Sequence, residues 1–265
     1  MSLVRENLLA IDAGNTRTKW ALFNGVGEIL TQGACLNEDL VSAEFLAKDY
    51  LCKTVMIANV AGVEISQKLT EKCHASGLTI TWAKSSNVAC SVKNNYEHPS
   101  QLGVDRWSAL IAAWNMYQTP CVVVNLGTAI TVDALVANHN GAEFLGGLIL
   151  PGLKLLQQAL VGGTRDIASG VASKLGEIKY FPLNTADAVE TGICLAIVGA
   201  VTELVAKLQL FIGGGVQAII VLTGGDANLL MPQLALKFNT NAVKRVLVHH
   251  NLVLQGLYLL EREQE

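Results

Sequence analysis

One pattern occurs twice in this chain and limits what it can fold into. An apolar run, Leu8-Leu9-Ala10-Ile11, leads into Asp12-Ala13-Gly14-Asn15-Thr16-Arg17-Thr18-Lys19, and a second apolar run, Trp20-Ala21-Leu22-Phe23, follows. Later, Cys121-Val122-Val123-Val124 leads into Asn125-Leu126-Gly127-Thr128-Ala129, and residues 130–136 are again mostly apolar, with Thr131 and Asp133 among them. Each pattern predicts two short strands joined by a tight turn. A third strand is expected next in both halves, at 28–33 and at 144–150. A buried strand ending in glycine then recurs, at 54–60 before Gly62 and at 219–223 before Gly224-Gly225. Duplication on this scale predicts two related α/β domains, drawn at 1–115 and 116–265, with both turns facing one cleft. Aligning Gly14 with Gly127 sets Asp12 opposite Asn125 and Trp20 opposite Asp133.

The first turn has the composition of a phosphate cradle. Gly14 lacks the Cβ that would hold a ligand off the backbone amides. Asn15, Thr16 and Thr18 add neutral donors and Lys19 adds a cation. Asp12 would repel a bare phosphate, so a divalent cation between them is the natural complement. A hairpin turn rich in turn formers needs no ligand at all, and this stretch alone does not separate the two readings.

The rest of the chain narrows the class. Hydrophobic residues make up 51% of the 265 and charged residues only 15%, so a large core is expected and disorder is not. A net charge of −3 without a basic run gives no footprint for nucleic acid. The uncharged stretches 107–132 and 208–225 are interrupted by Pro120 and by Gly213-Gly214-Gly215, and read as helix, turn and strand, not as membrane spans. Asp12 comes too early for a signal peptide, so a soluble, cytoplasmic protein is expected. The six cysteines lack the short spacings of a metal site and are expected as core thiols. Helices are predicted over 39–51, 64–74, 103–117, 184–212 and from about 228; the fourth reads as central core or a dimer face. A polar loop is predicted over 87–101, and 162–179 has no clear assignment.

These residues resemble a known family. Asp12, Gly14-Asn15-Thr16 and Lys19, then Tyr96 and Pro99 with Leu102-Gly103-Val104-Asp105-Arg106, are similar to the motifs of type III pantothenate kinases. So are Gly127-Thr128-Ala129 with Thr131 and Asp133, Gly146-Gly147 with Ile149 and Pro151-Gly152, Asn184-Thr185, and Thr223-Gly224-Gly225. The resemblance spans nearly the whole chain. It implies duplicated ribonuclease-H-like domains of the actin-like ATPase fold, shared with acetate and sugar kinases and Hsp70. It also implies ATP-dependent phosphorylation of pantothenate, the first committed step of coenzyme A synthesis, by a homodimer. Under it, residues Asp12, Ala13, Gly14, Asn15, Thr16, Arg17, Thr18 and Lys19, with Thr128, hold the ATP phosphates, and Mg2+ lies near Asp12. Asp105 is the general base, and Tyr96, Gly103, Val104, Asp105, Arg106 and Thr185 form the pantothenate site. Asn125 stands where the family usually carries an aspartate that contributes to a K+ or NH4+ site. It keeps an oxygen ligand without the charge, so the cation is expected to bind weakly or not at all. The segment 165–181 also departs from the family pattern. Two other readings fit the same motifs: a relative acting on another carboxylated acceptor or on acetate, and a nucleotide-binding regulator or transcriptional accessory protein without kinase activity.

Overall fold

The computed structural model of the chain describes residues 6–45, 52–163, 178–213, 216–239 and 245–264. It divides into two compact units. The first comprises Met1–Gln118, Asn138–Phe144 and Asn251–Glu265; the second comprises Thr119–Ala137 and Leu145–His250.

In the first unit the opening hairpin is β1 (Leu8–Ala13) and β2 (Arg17–Phe23), followed by β3 (Ile29–Leu36), β4 (Thr54–Asn59), α1 (Val63–Ala75) and β5 (Thr79–Trp82). The sheet order is β3-β2-β1-β4-β5. The first three strands are antiparallel neighbours, while β4 and β5 join β1 in parallel. Alternation explains the layering. Leu9, Ile11 and Ala13 of β1 pack on one side with Val55, Ile57, Ile65 and Leu69, and the intervening Leu8 and Ala10 are equally buried. A central strand covered on both faces has to be apolar throughout, and β1 is apolar except at Asp12. The helix expected over 39–51 is not an α-helix in its described part. Residues 37–39 form one 3-10 turn, and 46–51 lie outside the described residues.

The loop expected at 87–101 is more ordered than its composition implied. It contains a two-stranded ribbon, β6 (Val88–Ala89) and β7 (Val92–Asn94), then a 3-10 turn at Pro99–Gln101. Cys90 and Ser91 both take positive φ, 49° and 61°, as a two-residue hairpin connection requires. The following helix, α2 (Val104–Tyr117), has Trp107, Leu110, Ile111 and Trp114 buried as the spacing predicted.

The second unit repeats the first: β8 (Cys121–Leu126), β9 (Ala129–Asn138), β10 (Gly141–Pro151), α3 (Leu153–Gly163), α4 (Thr185–Ile212), β11 (Ile219–Thr223), α5 (Ala227–Phe238) and β12 (Val246–Val248). Its strands are ordered β10-β9-β8-β11-β12, the order found in the first unit. The parallel pairings β8–β11 and β11–β12 match β1–β4 and β4–β5. The ungapped alignment slips after the turn, however. Ile11 faces Trp20, whereas Val124 faces Val132, because the second turn is one residue shorter. Trp20 therefore corresponds to Val132, not to Asp133, and a slip of one residue exchanges the two faces of a strand.

The start of β10, residues 141–144, pairs with β7 in the first unit. The last helix, α6 (Leu252–Gln264), also belongs there and packs on α2. Its apolar face (Leu252, Val253, Leu257, Leu260) is buried, and Gly256 lies where a Cβ would run into the backbone of Ser108. Neither backbone can yield without separating the helices. Gly256→Ala is therefore expected to cost about 1–3 kcal/mol, read as a drop in the thermal unfolding midpoint. An unchanged midpoint would mean that the two helices are not in close contact.

Candidate active site

Asp12 is the fifth residue of β1 and Asn125 the fifth of β8. The two six-residue strands share one pattern of burial, with these side chains half-buried and all others enclosed. Both side chains thus stand where an otherwise apolar strand reaches its turn.

In the first turn the Gly14 N–H donates to the Arg17 carbonyl at 3.1 Å. A Cβ on Gly14 would sit 3.3 Å from that oxygen, so glycine keeps the turn tight. Asn15, Thr16 and Arg17 are exposed at its tip, and Lys19 lies directly across the ladder from Asp12. Thr18 differs from expectation. It is fully buried, and its hydroxyl donates to Asn37 Oδ1 at 2.9 Å, so it braces the turn from behind. Asn37 also donates from Nδ2 to the Gly14 carbonyl at 2.8 Å and from its own N–H to the Thr16 carbonyl at 3.1 Å. Sequence reasoning did not single out Asn37; its only sign was a turn-forming residue just past the third strand.

Asp105 and Arg106 open α2. The Asp105 carboxylate accepts the Arg106 backbone N–H at 2.8 Å, a helix N-terminal contact that favours negative charge. Burial outweighs this and raises the Asp105 carboxyl above the usual range. A Cβ on Gly103 would lie 2.6 Å from Asp105 Oδ1, so any side chain there displaces the carboxylate. Gly103→Ala is expected to lower kcat by roughly tenfold or more while leaving the unfolding midpoint nearly unchanged, since only a side-chain tip must move. A kcat equal to the parent's would separate the carboxylate position from turnover. Val104 is the first residue of the helix, and its carbonyl accepts the Ser108 hydroxyl.

Arg106 is a buried cation, 5% exposed. Its Nη1 donates to Tyr96 Oη at 2.8 Å, and its guanidinium carbon lies 5.6 Å from the Tyr96 ring centre and 5.8 Å from that of Phe144. The two rings are 5.4 Å apart. Their faces compensate for part of the hydration that Arg106 loses. Asn94 fixes this wall: its Nδ2 reaches the Ser86 and Pro99 carbonyls, each at 3.2 Å, and its Oδ1 accepts the Tyr96 N–H at 3.1 Å. Neither Asn94 nor Phe144 was marked from sequence. Phe144 read as one apolar residue in a strand, and nothing local tells which aromatic will meet a cation.

Asp12 and Asp105 are near enough to influence each other. Burial, then the charge of Asp105, raises the Asp12 carboxyl to about 7, against the opposing pull of Lys19. Two half-buried carboxylates with one adjacent ammonium form a surplus of negative charge, once both are ionised, that suits Mg2+, which takes one or two carboxylates and fills its shell with phosphate and water. The chemistry of the residues present fits that ion. Between its ordinary value of 3.8 and about 7, folded Asp12 holds a proton that the unfolded chain has released. Its contribution to stability is complete below that range and is lost as pH rises through 7. The unfolding midpoint of the ligand-free protein is expected to fall between pH 5 and 8 more steeply than that of Asp12→Asn, and Mg2+ to raise it more at pH 8. Parallel profiles for the two proteins would remove Asp12 as the titrating group.

In the second unit the Gly127 N–H donates to the Ala129 carbonyl at 3.2 Å, and Thr128 is exposed at the tip. Two glycines crowd this turn. Gly152 donates to the Thr128 carbonyl at 3.0 Å with no room for a Cβ, and Gly224, at φ +96°, lies against the backbone of Leu126. Asp133 is buried, 1% exposed. Asn184 caps α4, accepting the Asp187 N–H at 2.9 Å, so Thr185 stands exposed in the first turn beside an apolar groove of about 750 Å3 lined by Leu156, Leu160, Leu183 and Ile193. Tyr96, Arg106, Asp105 and Asp12 are thus assembled within the first unit, and Asn125, Thr128 and Thr185 within the second.

A family model for type III pantothenate kinase matches residues 8–207. The type III pantothenate kinase of Methylobacillus flagellatus is 44% identical over 262 residues, covering 96% of this chain and 98% of its own. That of Nitrosospira multiformis is 41% identical, covering 97% and 91%. Among solved structures, a protein from Campylobacter jejuni described provisionally as a Baf family transcriptional activator aligns with a TM-score of 0.61 at 18% identity, over 97% of this chain and 98% of its own. The ethanolamine utilization protein EutJ of Carboxydothermus hydrogenoformans aligns at 0.57 and 11% identity, over 98% and 92%. These likenesses share the fold, the mixed α/β architecture of actin-like ATPases and sugar kinases with its ribonuclease-H-like duplication. The chain belongs to the type III pantothenate kinase family.

Proposed function

We propose that this protein transfers the γ-phosphoryl group of ATP to the primary hydroxyl of pantothenate, giving 4'-phosphopantothenate and ADP. The observation that carries the proposal is the pairing of a half-buried carboxylate, Asp105, with a buried cation, Arg106, at one helix start beside the Asp12 turn. Asp105 accepts the hydroxyl proton as the new O–P bond forms and the bond to the ADP oxygen breaks. A raised carboxyl is the better base for that transfer. Arg106 and Tyr96 receive the acceptor's carboxylate, for which the planar guanidinium supplies paired donors. Asn15, Thr16 and Lys19 face the phosphates in the first turn, while Thr18 holds the turn in shape. When bound at Asp12, Mg2+ neutralises phosphate charge during transfer.

Asn125 offers a neutral oxygen, half-buried opposite Thr131 in the ladder. On this reading K+ and NH4+ stimulate the reaction weakly, and Asn125→Asp makes the rate cation-dependent. Rates with and without KCl for both proteins test this; strong stimulation of the parent would overturn it.

Helix α4 is apolar enough by length and composition to cross a membrane, with a mean hydropathy of 1.8 over its best window. One face packs in the core through Ile193, Ile197, Val201 and Val205, while Leu195 is 56% exposed. We read the outward face as the contact between two copies of a cytoplasmic homodimer. Pantothenate assays with Mg2+ATP test the activity, and light scattering tests the dimer.

A further inference from the structure

We infer that Asn37 is a positioning residue for ATP, setting the direction of the amides in the turn after β1. The inference rests on the reading of that turn as the phosphate cradle.

Asn37 makes three contacts to the turn, and each reaches a different residue. Its side chain donates to the Gly14 carbonyl (2.8 Å) and accepts from the Thr18 hydroxyl (2.9 Å), while its backbone donates to the Thr16 carbonyl (3.1 Å). In a trans peptide the C=O of one residue and the N–H of the next point in opposite directions. Drawing the Gly14 carbonyl toward Asn37 therefore turns the Asn15 N–H to the opposite side, and drawing in the Thr16 carbonyl does the same for the Arg17 N–H. A phosphate repels carbonyl oxygens and needs N–H groups, so this face-sorting separates a cradle from an ordinary turn. The side chain satisfies donor and acceptor at once, with Thr18 fully enclosed behind it. Alanine at 37 releases the Gly14 carbonyl and leaves the buried Thr18 hydroxyl without its acceptor, so the peptide planes can rotate.

A role in positioning ATP predicts a change confined to that substrate. Asn37→Ala is expected to raise KM for ATP about tenfold, with KM for pantothenate and the unfolding midpoint little changed. Thr18→Val should reproduce the effect and Thr18→Ser, which keeps the hydroxyl, should restore it. The double variant should be no worse than Asn37→Ala alone, because the bond that Thr18→Val removes is already lost when residue 37 is alanine. Lys19→Ala is measured alongside. If it leaves KM for ATP unchanged, the cradle reading itself fails. If Lys19→Ala raises that KM but neither Asn37→Ala nor Thr18→Val does, the inference about Asn37 alone is overturned. Equal rises in both KM values would also overturn it, as a general loosening of the unit would do. Should Asn37→Ala fail to fold, the two Thr18 variants decide.

Discussion

Replacing Asp105 with asparagine is expected to lower kcat by about 10²- to 10⁴-fold, the range that a positioned general base contributes. The size of the effect follows from the site. Asp105 is fixed by the Arg106 N–H and by the absence of a side chain at Gly103, so its oxygens have one place to be. Asparagine matches the carboxylate in shape and can still accept that backbone bond through its carbonyl oxygen. It cannot take a proton. Both KM values and the unfolding midpoint should therefore stay close to the parent's, with a small gain in stability where desolvation of the charge is relieved. A kcat within a factor of two of the parent's would remove Asp105 as base.

Arg106→Lys is expected to raise KM for pantothenate by about 10- to 100-fold, equivalent to roughly 1.4–2.7 kcal/mol of lost binding. The charge is kept, so the loss isolates geometry. Lysine has no planar fork for a carboxylate, cannot stack flat on Tyr96 and Phe144, and is more strongly hydrated than a guanidinium. KM for ATP should not follow, since the phosphates are held elsewhere. Acceptors lacking a carboxylate provide the cross-check: the parent should discriminate against them more strongly than the variant does. If KM for pantothenate is unchanged in the variant, Arg106 does not meet the carboxylate.

Much of the fold was legible because it is written in periodicity. The strands at 8–13, 54–59, 121–126 and 219–223 are runs that nothing but a buried sheet accommodates, and the recurrence of hairpin, strand and glycine turn is realised as one strand order in both units. What remained hidden depends on contacts between distant segments. The helix at 252–264 was not anticipated, nor was its return to the first unit, because its partner α2 lies about 150 residues earlier and only Gly256 marks the contact. The ribbon at 88–94 was obscured by polar residues that serve as its turn and edge. The site shows the same division. Asp12, Asp105 and Arg106 stand in recognisable local patterns, while Asn37, Asn94 and Phe144 matter through what they touch: a turn 23 residues away, a loop wall, and a cation on another element. Thr18 marks the opposite case, a turn residue whose pattern pointed outward and whose hydroxyl is bonded inward.

The central claim is that this chain phosphorylates pantothenate, and the most direct test is product analysis. Purified protein with Mg2+ATP and pantothenate, followed by phosphorus NMR and mass spectrometry, should give one equivalent of 4'-phosphopantothenate per ADP formed. ADP without phosphopantothenate, or phosphate carried to acetate or another hydroxy acid while pantothenate stays intact, would contradict the account.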